Sequence, residues 1–309
     1  MNAHKKFFSK VGLNYLALGV ITIIFQIIIA NIVNVINPQY LNDYNIISII
    51  STICNYFLPF PIFYWLMKKI ESEKPEKIRI SAKTFIIYAA ITLTLMWIGN
   101  FIGLTVTSLL SSTMQSDIVN PVHELINNTD IWFNMIVISI VAPIFEEILF
   151  RKLLIDRTIR YGAKVSIILS ALLFALFHGN LNQFFYALLM GGFLAYVYIR
   201  TGNVIYPIAL HGIANIMGSV VSLFIVSAAN GIQSGANPLG EAIIIIYILF
   251  IFSMLVIGLY SLTKFKKARF NGAKTKIALE YTYTTMFMNP GMVCFIAFYL
   301  FEMVFQVLG

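Results

Sequence analysis

Residues 146–151, Glu-Glu-Ile-Leu-Phe-Arg, place two adjacent carboxylates inside an otherwise apolar run. An ionised carboxylate at the centre of a bilayer costs about 3 kcal/mol or more unless something pairs with it. Arg151 stands four residues after Glu147, so the two stack on one helix face in the favourable acid-before-base order. Adjacent helix residues point about 100° apart. Glu146 therefore faces elsewhere. The spacing reads Glu147–Arg151 as a structural pair and leaves Glu146 free for chemistry. Two further stretches carry polar groups in apolar surroundings. In Phe-Ala-Leu-Phe-His, 174–178, Phe174 and His178 share a face; in His-Gly-Ile-Ala-Asn, 211–215, His211 and Asn215 do. A carboxylate and an imidazole can take a proton from water. His and Asn side chains can donate hydrogen bonds. Polar groups of this kind inside a membrane line a site, a pathway or a pairing interface. Each group alone also has a blander reading. Glu147–Arg151 could be only a helix lock, His178 a packed polar residue, and His211–Asn215 an interhelical clasp. The remaining histidines, His4 in the basic tail and His123 in a polar connection, read as solvated.

The elements that must position these groups follow from composition. The chain has 309 residues, 59% hydrophobic and 11% charged, against about 25% charged in a soluble domain. The fold class is all-α, a polytopic membrane helix bundle. Apolar runs near 11–36, 45–67, 84–110, 131–156, 164–180, 182–199, 203–226 and 241–263 give about eight spans. A ninth C-terminal hydrophobic segment, 283–308, is broken by Asn-Pro-Gly at 289–291 and carries Glu302. No internal repeat or linker divides the chain. It reads as one integral-membrane domain, 1–309, with a catalytic core near 131–226. The basic N-terminus precedes an apolar run too long for a signal-peptide core, so the first span reads as uncleaved. Cys54 and Cys294 lie in apolar runs and read as buried hydrophobes, not as a disulfide or zinc framework.

All 21 Lys and Arg residues fall at the N-terminus or on the even-numbered connections. The odd-numbered connections, around 37–44, 111–130, 179–183 and 227–240, have none. The positive-inside rule places the N-terminus in the cytoplasm. The net charge of +8 is thus a topology signal. It excludes a nucleic-acid patch, because the charge is spread along the chain. The expected partners are the lipid bilayer and a peptide or membrane-anchored protein substrate. The basic stretch 264–276 could also touch anionic headgroups. An Ile-, Asn- and Lys-rich composition leans towards a bacterial plasma membrane.

Depth decides whether the polar groups can meet. Glu146 is 14 residues from Arg160 and His178 is 14 from Lys164, roughly 21 Å along a helix in each case. His211 and Asn215 are 8 and 12 residues from Asn203, roughly 12 and 18 Å. The four can share one layer if helix four continues past Arg151 and the connection 179–183 dips into the protein, where its backbone is covered. The basic inner loops and short outer connections suggest a cavity open to the cytoplasm or inner leaflet.

The three stretches, in this order on separate spans, resemble the EExxxR, FxxxH and HxxxN motifs of the CAAX-protease and bacteriocin-processing (CPBP, or Abi) family of intramembrane proteases. They cover about 70 residues of the chain. The resemblance implies an endopeptidase acting on a membrane-associated, in some relatives prenylated, protein or peptide. It implies Glu146 and His178 as activators of water, and His211 and Asn215 as stabilisers of the oxyanion. Cofactors stay open. Glu146, His178 and His211 could hold a catalytic zinc, with Glu147 then the base, although no H-E-x-x-H helix is present; a metal-free glutamate mechanism is the preferred reading. Two other functions compete: a catalytically silent scaffold or bacteriocin-immunity protein on the same fold, and a proton-coupled transporter using Glu and His as a relay. No inverted pair of broken spans supports transport.

Overall fold

A computed structural model describes residues 2–233, 239–264 and 277–308. Residues 265–276, most of the basic stretch 264–276, lie outside the described residues. Among the described residues there is no strand. Eight of the described helices are long and apolar enough to cross a membrane. They are α1 (Ala3–Ile36), α2 (Tyr44–Lys68), α3 (Ala82–Met114), α5 (Ile131–Tyr161), α7 (Leu181–Thr201), α8 (Ile205–Gln233), α9 (Gly240–Lys264) and α11 (Pro290–Leu308). Between them lie α4 (Pro121–Asn128), α6 (Ala163–Phe177) and α10 (Thr282–Phe287).

The number of spans agrees with the expectation, but the membership differs. The run 164–180 yields α6, only 15 residues long. That is about 22 Å, short of the roughly 30 Å hydrocarbon layer. The broken ninth run yields α11, which is long enough. Pro290 falls at its first position, where a missing N–H costs nothing. The Asn289 side chain accepts from the Met292 amide and so satisfies the helix start.

Polar caps set several of the other helix starts. Asn2, Ser81, Asn120 and Asn180 each accept a backbone N–H from the first turn of α1, α3, α4 and α7. The helix pair α3/α7 comes close because Gly99 leaves room. A Cβ there would lie 2.3 Å from the Tyr186 Cα. The basic connections gather at one end of the bundle. Backbone bonds join Glu73 to Asp156, Ile78 to Thr201 and Ile277 to Arg160. At the opposite end, Asp130 bonds the Asn45 side chain and Gln306 bonds the Val119 carbonyl. The basic half is densely packed. Tyr15 donates to the Leu149 carbonyl, Tyr198 to Asp156, and Arg157 to the carbonyls of Met67 and Leu153.

Four stretches of these helices widen to i→i+5 bonding: Ile53–Phe57, Asn134–Val141, Ile148–Leu153 and Met217–Val221. Such bulges concentrate at functional sites. Two precede prolines closely. Pro59 and Pro143 lack an N–H, and their rings would strike the carbonyl four residues back. Widening the turn relieves the clash.

Two minor expectations change. Cys54 is buried but Cys294 is exposed on α11, and both are free thiols. His123 is exposed as expected. His4 instead packs edge-on against Tyr161 and shares a hydrogen bond with its hydroxyl.

Candidate active site

Glu146, His178, His211 and Asn215 line one cavity of about 1150 Å³ that opens at one end of the bundle. The helix α5 brings in both glutamates. Glu147 is fully buried, and its Oε1 accepts from Arg151 Nη2 at 3.1 Å. Arg151 Nε and Glu147 Oε2 stand 2.9 Å apart but out of hydrogen-bond alignment, so that second contact is ionic. The pair is therefore present as the spacing implied. It also does more. Glu147 Oε1 lies 2.9 Å from His211 Nδ1. A carboxylate paired with arginine accepts, so Nδ1 carries the proton and donates. Glu147 thus joins α5 to α8 and fixes the imidazole, an orienting role that reading it as only a local pair left out. Arg151 is held in turn by Ser170, whose own hydroxyl donates to the Phe150 carbonyl.

Glu146 points the other way, into the cavity, and is 15% exposed. Its Oε1 accepts from the Tyr56 hydroxyl at 2.6 Å. Its Oε2 is 3.7 Å from His211 Nε2, beyond hydrogen-bond reach. Tyr56 is a site residue that the motif spacing missed. It comes from the widened turn of α2, in the sequence Ile-Cys-Asn-Tyr-Phe-Leu-Pro. The available signal was an adjacent Asn-Tyr pair just ahead of a proline in an apolar run.

His178 follows the last turn of α6, at Gly179, which has φ +63. Its Nδ1 sits 2.8 Å from the Phe174 carbonyl. A carbonyl only accepts, so Nδ1 is protonated and, in the neutral ring, Nε2 keeps its lone pair. The Phe174 ring stands edge-on to both imidazoles, with centroids 4.7 Å from His178 and 5.7 Å from His211. The Arg151 guanidinium lies 4.5 Å above the same ring. Phe174 therefore spaces the two histidines. Gly191 on α7 makes room for it, since a Cβ there would come within 2.8 Å of the ring. The turn after His178 is indeed inside the protein: Asn180 and Asn182 are 5% and 2% exposed.

Asn215 Nδ2 donates to the Ile138 carbonyl at 2.8 Å. That carbonyl is free for a physical reason. The Ala142 amide bonds Val137 instead, and residue 143, next in the widened pattern, is proline. One amide hydrogen of Asn215 is thus committed, and one remains.

Among the described residues no three His, Cys, Asp or Glu side chains cluster as a metal ion would need. Both histidines commit Nδ1 to protein acceptors and keep Nε2 for the cavity, an arrangement that suits a ligand to a metal as well as a partner to water. The cavity wall is drawn from Tyr44, Val122, Gln183 and Gln306, and among the described residues none of the basic connections contributes to it.

Residues 128–217 match a family model described as Rce1-like, type II CAAX prenyl endopeptidase Rce1-like. All three motifs lie within that stretch, which bears out the resemblance they carried. No curated protein and no solved structure matches the chain.

Proposed function

From an Rce1-like segment set in a multi-pass helix bundle, we propose that this protein is an intramembrane endopeptidase. It hydrolyses a peptide bond of a membrane-associated protein or peptide. The observation that carries the reading is the meeting of Glu146, His178, His211 and Asn215, from three segments, on one buried cavity.

In this reading Glu146 takes a proton from water, whose oxygen attacks the scissile carbonyl. Tyr56 holds Oε1 and leaves Oε2 turned towards His211. His178 Nε2, with its lone pair free, accepts the other hydrogen of the same water and fixes its approach. The uncommitted amide hydrogen of Asn215 faces the developing oxyanion. His211 Nε2 donates there when the ring carries a second proton, its Nδ1 being held by Glu147. The C–N bond then breaks, and the amine leaves with the proton that Glu146 had taken. The fixed donors need no rearrangement during the step, which is where such sites gain most.

The test is Glu146→Gln, which keeps shape and removes basicity. Purified protein in lipid nanodiscs is incubated with membrane-tethered peptides, and new amino termini are counted by mass spectrometry. Cleavage should fall by about 10²–10⁴-fold. Unchanged cleavage would sink the assignment; an in-cell effect that survives in Glu146→Gln would favour a silent scaffold.

A further inference from the structure

The cavity is one-sided. It reaches α9 only at Tyr247 and Ile251, and α11 only from Phe298 to Gln306. In both helices this is the half farther from the basic connections. At that end Val122 and Glu124 of α4 reach its rim. At the other end the core of Phe8, Phe150, Leu154 and Leu169, none more than 1% exposed, closes the bundle. The wall is also one-signed. Glu124, Glu146 and Glu302 line it, and among the described residues neither Lys nor Arg does. In a low-dielectric cleft such a wall concentrates cations and repels anions.

We infer that the cavity admits an uncharged or cationic peptide segment from the extracytoplasmic face, the face opposite the basic connections. The occupant rests on the peptidase reading; the side and the charge preference do not. Glu302, on a segment outside the matched stretch 128–217, becomes a specificity residue. It stands beside the turn carrying His178, with its Cβ 3.7 Å from where a Gly179 side chain would begin. An anionic segment would have to approach three carboxylates with no Lys or Arg among the described wall residues to offset them.

The test is thiol accessibility in a Cys54→Ala/Cys294→Ala background. Ser51→Cys probes the wall, and Lys77→Cys marks the connection 69–81. Membrane-impermeant cationic trimethylammonioethyl and anionic sulfonatoethyl methanethiosulfonates are added to intact cells and to inverted vesicles. The Ser51→Cys thiol should react in intact cells and the Lys77→Cys thiol only in inverted vesicles. Normalised to their rates with a free thiol, the cationic reagent should be faster at Ser51→Cys by about tenfold. Glu302→Gln should shrink that ratio. Both thiols reacting from the same side overturns the route, and equal normalised rates overturn the charge preference. Val122→Cys serves as a second wall probe if Ser51→Cys does not accumulate, and silence of both probes in intact cells also counts against the route. Failure of the hydrolase reading would show differently, as cleavage surviving Glu146→Gln with the labelling pattern intact.

Discussion

Tyr56 and Glu147 divide the labour around the candidate catalytic carboxylate, and each can be tested alone. Removing the Tyr56 hydroxyl deletes one hydrogen bond to Glu146 and little packing. Tyr56→Phe should lower kcat about tenfold, a loss of about 1.4 kcal/mol in a charge-assisted bond, with the melting midpoint in detergent nearly unchanged. Glu147→Ala is a different lesion. It strands Arg151, which is fully buried, and should cost about 3–5 kcal/mol of stability. Adding Arg151→Met should restore much of the melting midpoint, because an apolar isostere removes the unpaired charge. Activity should stay low in the double variant, since His211 has lost the carboxylate that orients it. Recovery of both properties together would reduce Glu147 to a lock. At this scale the sequence was informative about Glu146, His178, His211 and Asn215, because each interrupts an apolar run at helical spacing. Tyr56 was hidden among 16 tyrosines, and its partner is 90 residues away. The contact of Glu147 with His211 was hidden for the same reason: local spacing sees Arg151 and cannot see another helix.

Among the helices, the junction of α3 with α7 is set by a single missing side chain. Gly99→Leu would drive carbon into the Tyr186 backbone and should cost about 1–3 kcal/mol or more through forced separation of the two helices. Loss of detergent-stable monomer on heating would report it. A neutral outcome would mean the helices tolerate a wider spacing than their packing indicates. Run length and capping residues made most helix positions legible. They could not reveal the widened turns, because hydropathy records how long a run is and not how many residues close each turn. The prolines at 59 and 143 were visible, yet their effect depends on what the freed carbonyls find. Ile138 finds Asn215, on another helix. The length of α6 was overestimated for a related reason: His178 and Gly179 ended the helix inside a run that composition alone continued.

In the assembled bundle, α11 lies outside the matched stretch but packs along α1. The Gly291 amide donates to Ser9 of α1, and the Phe295 ring meets Tyr15. It also carries the Tyr299 and Glu302 wall of the cavity. A chain ending at Asn289 should therefore melt at lower temperature and lose cleavage, even with all three motifs intact. Wild-type turnover from that truncated chain, measured with the same tethered peptides, would show that 128–217 and its immediate neighbours suffice. The short α6 has a further consequence. Its polar turn ends about 8 Å beneath the nearer edge of an average hydrocarbon slab. Protein covers that turn, so water reaches it through the cavity, along a path that lengthens as the surrounding bilayer thickens. Acyl-chain length thus becomes a throttle on solvent supply: reconstitution in long-chain phosphatidylcholine should slow turnover relative to short-chain lipid, with the protein's chemistry untouched.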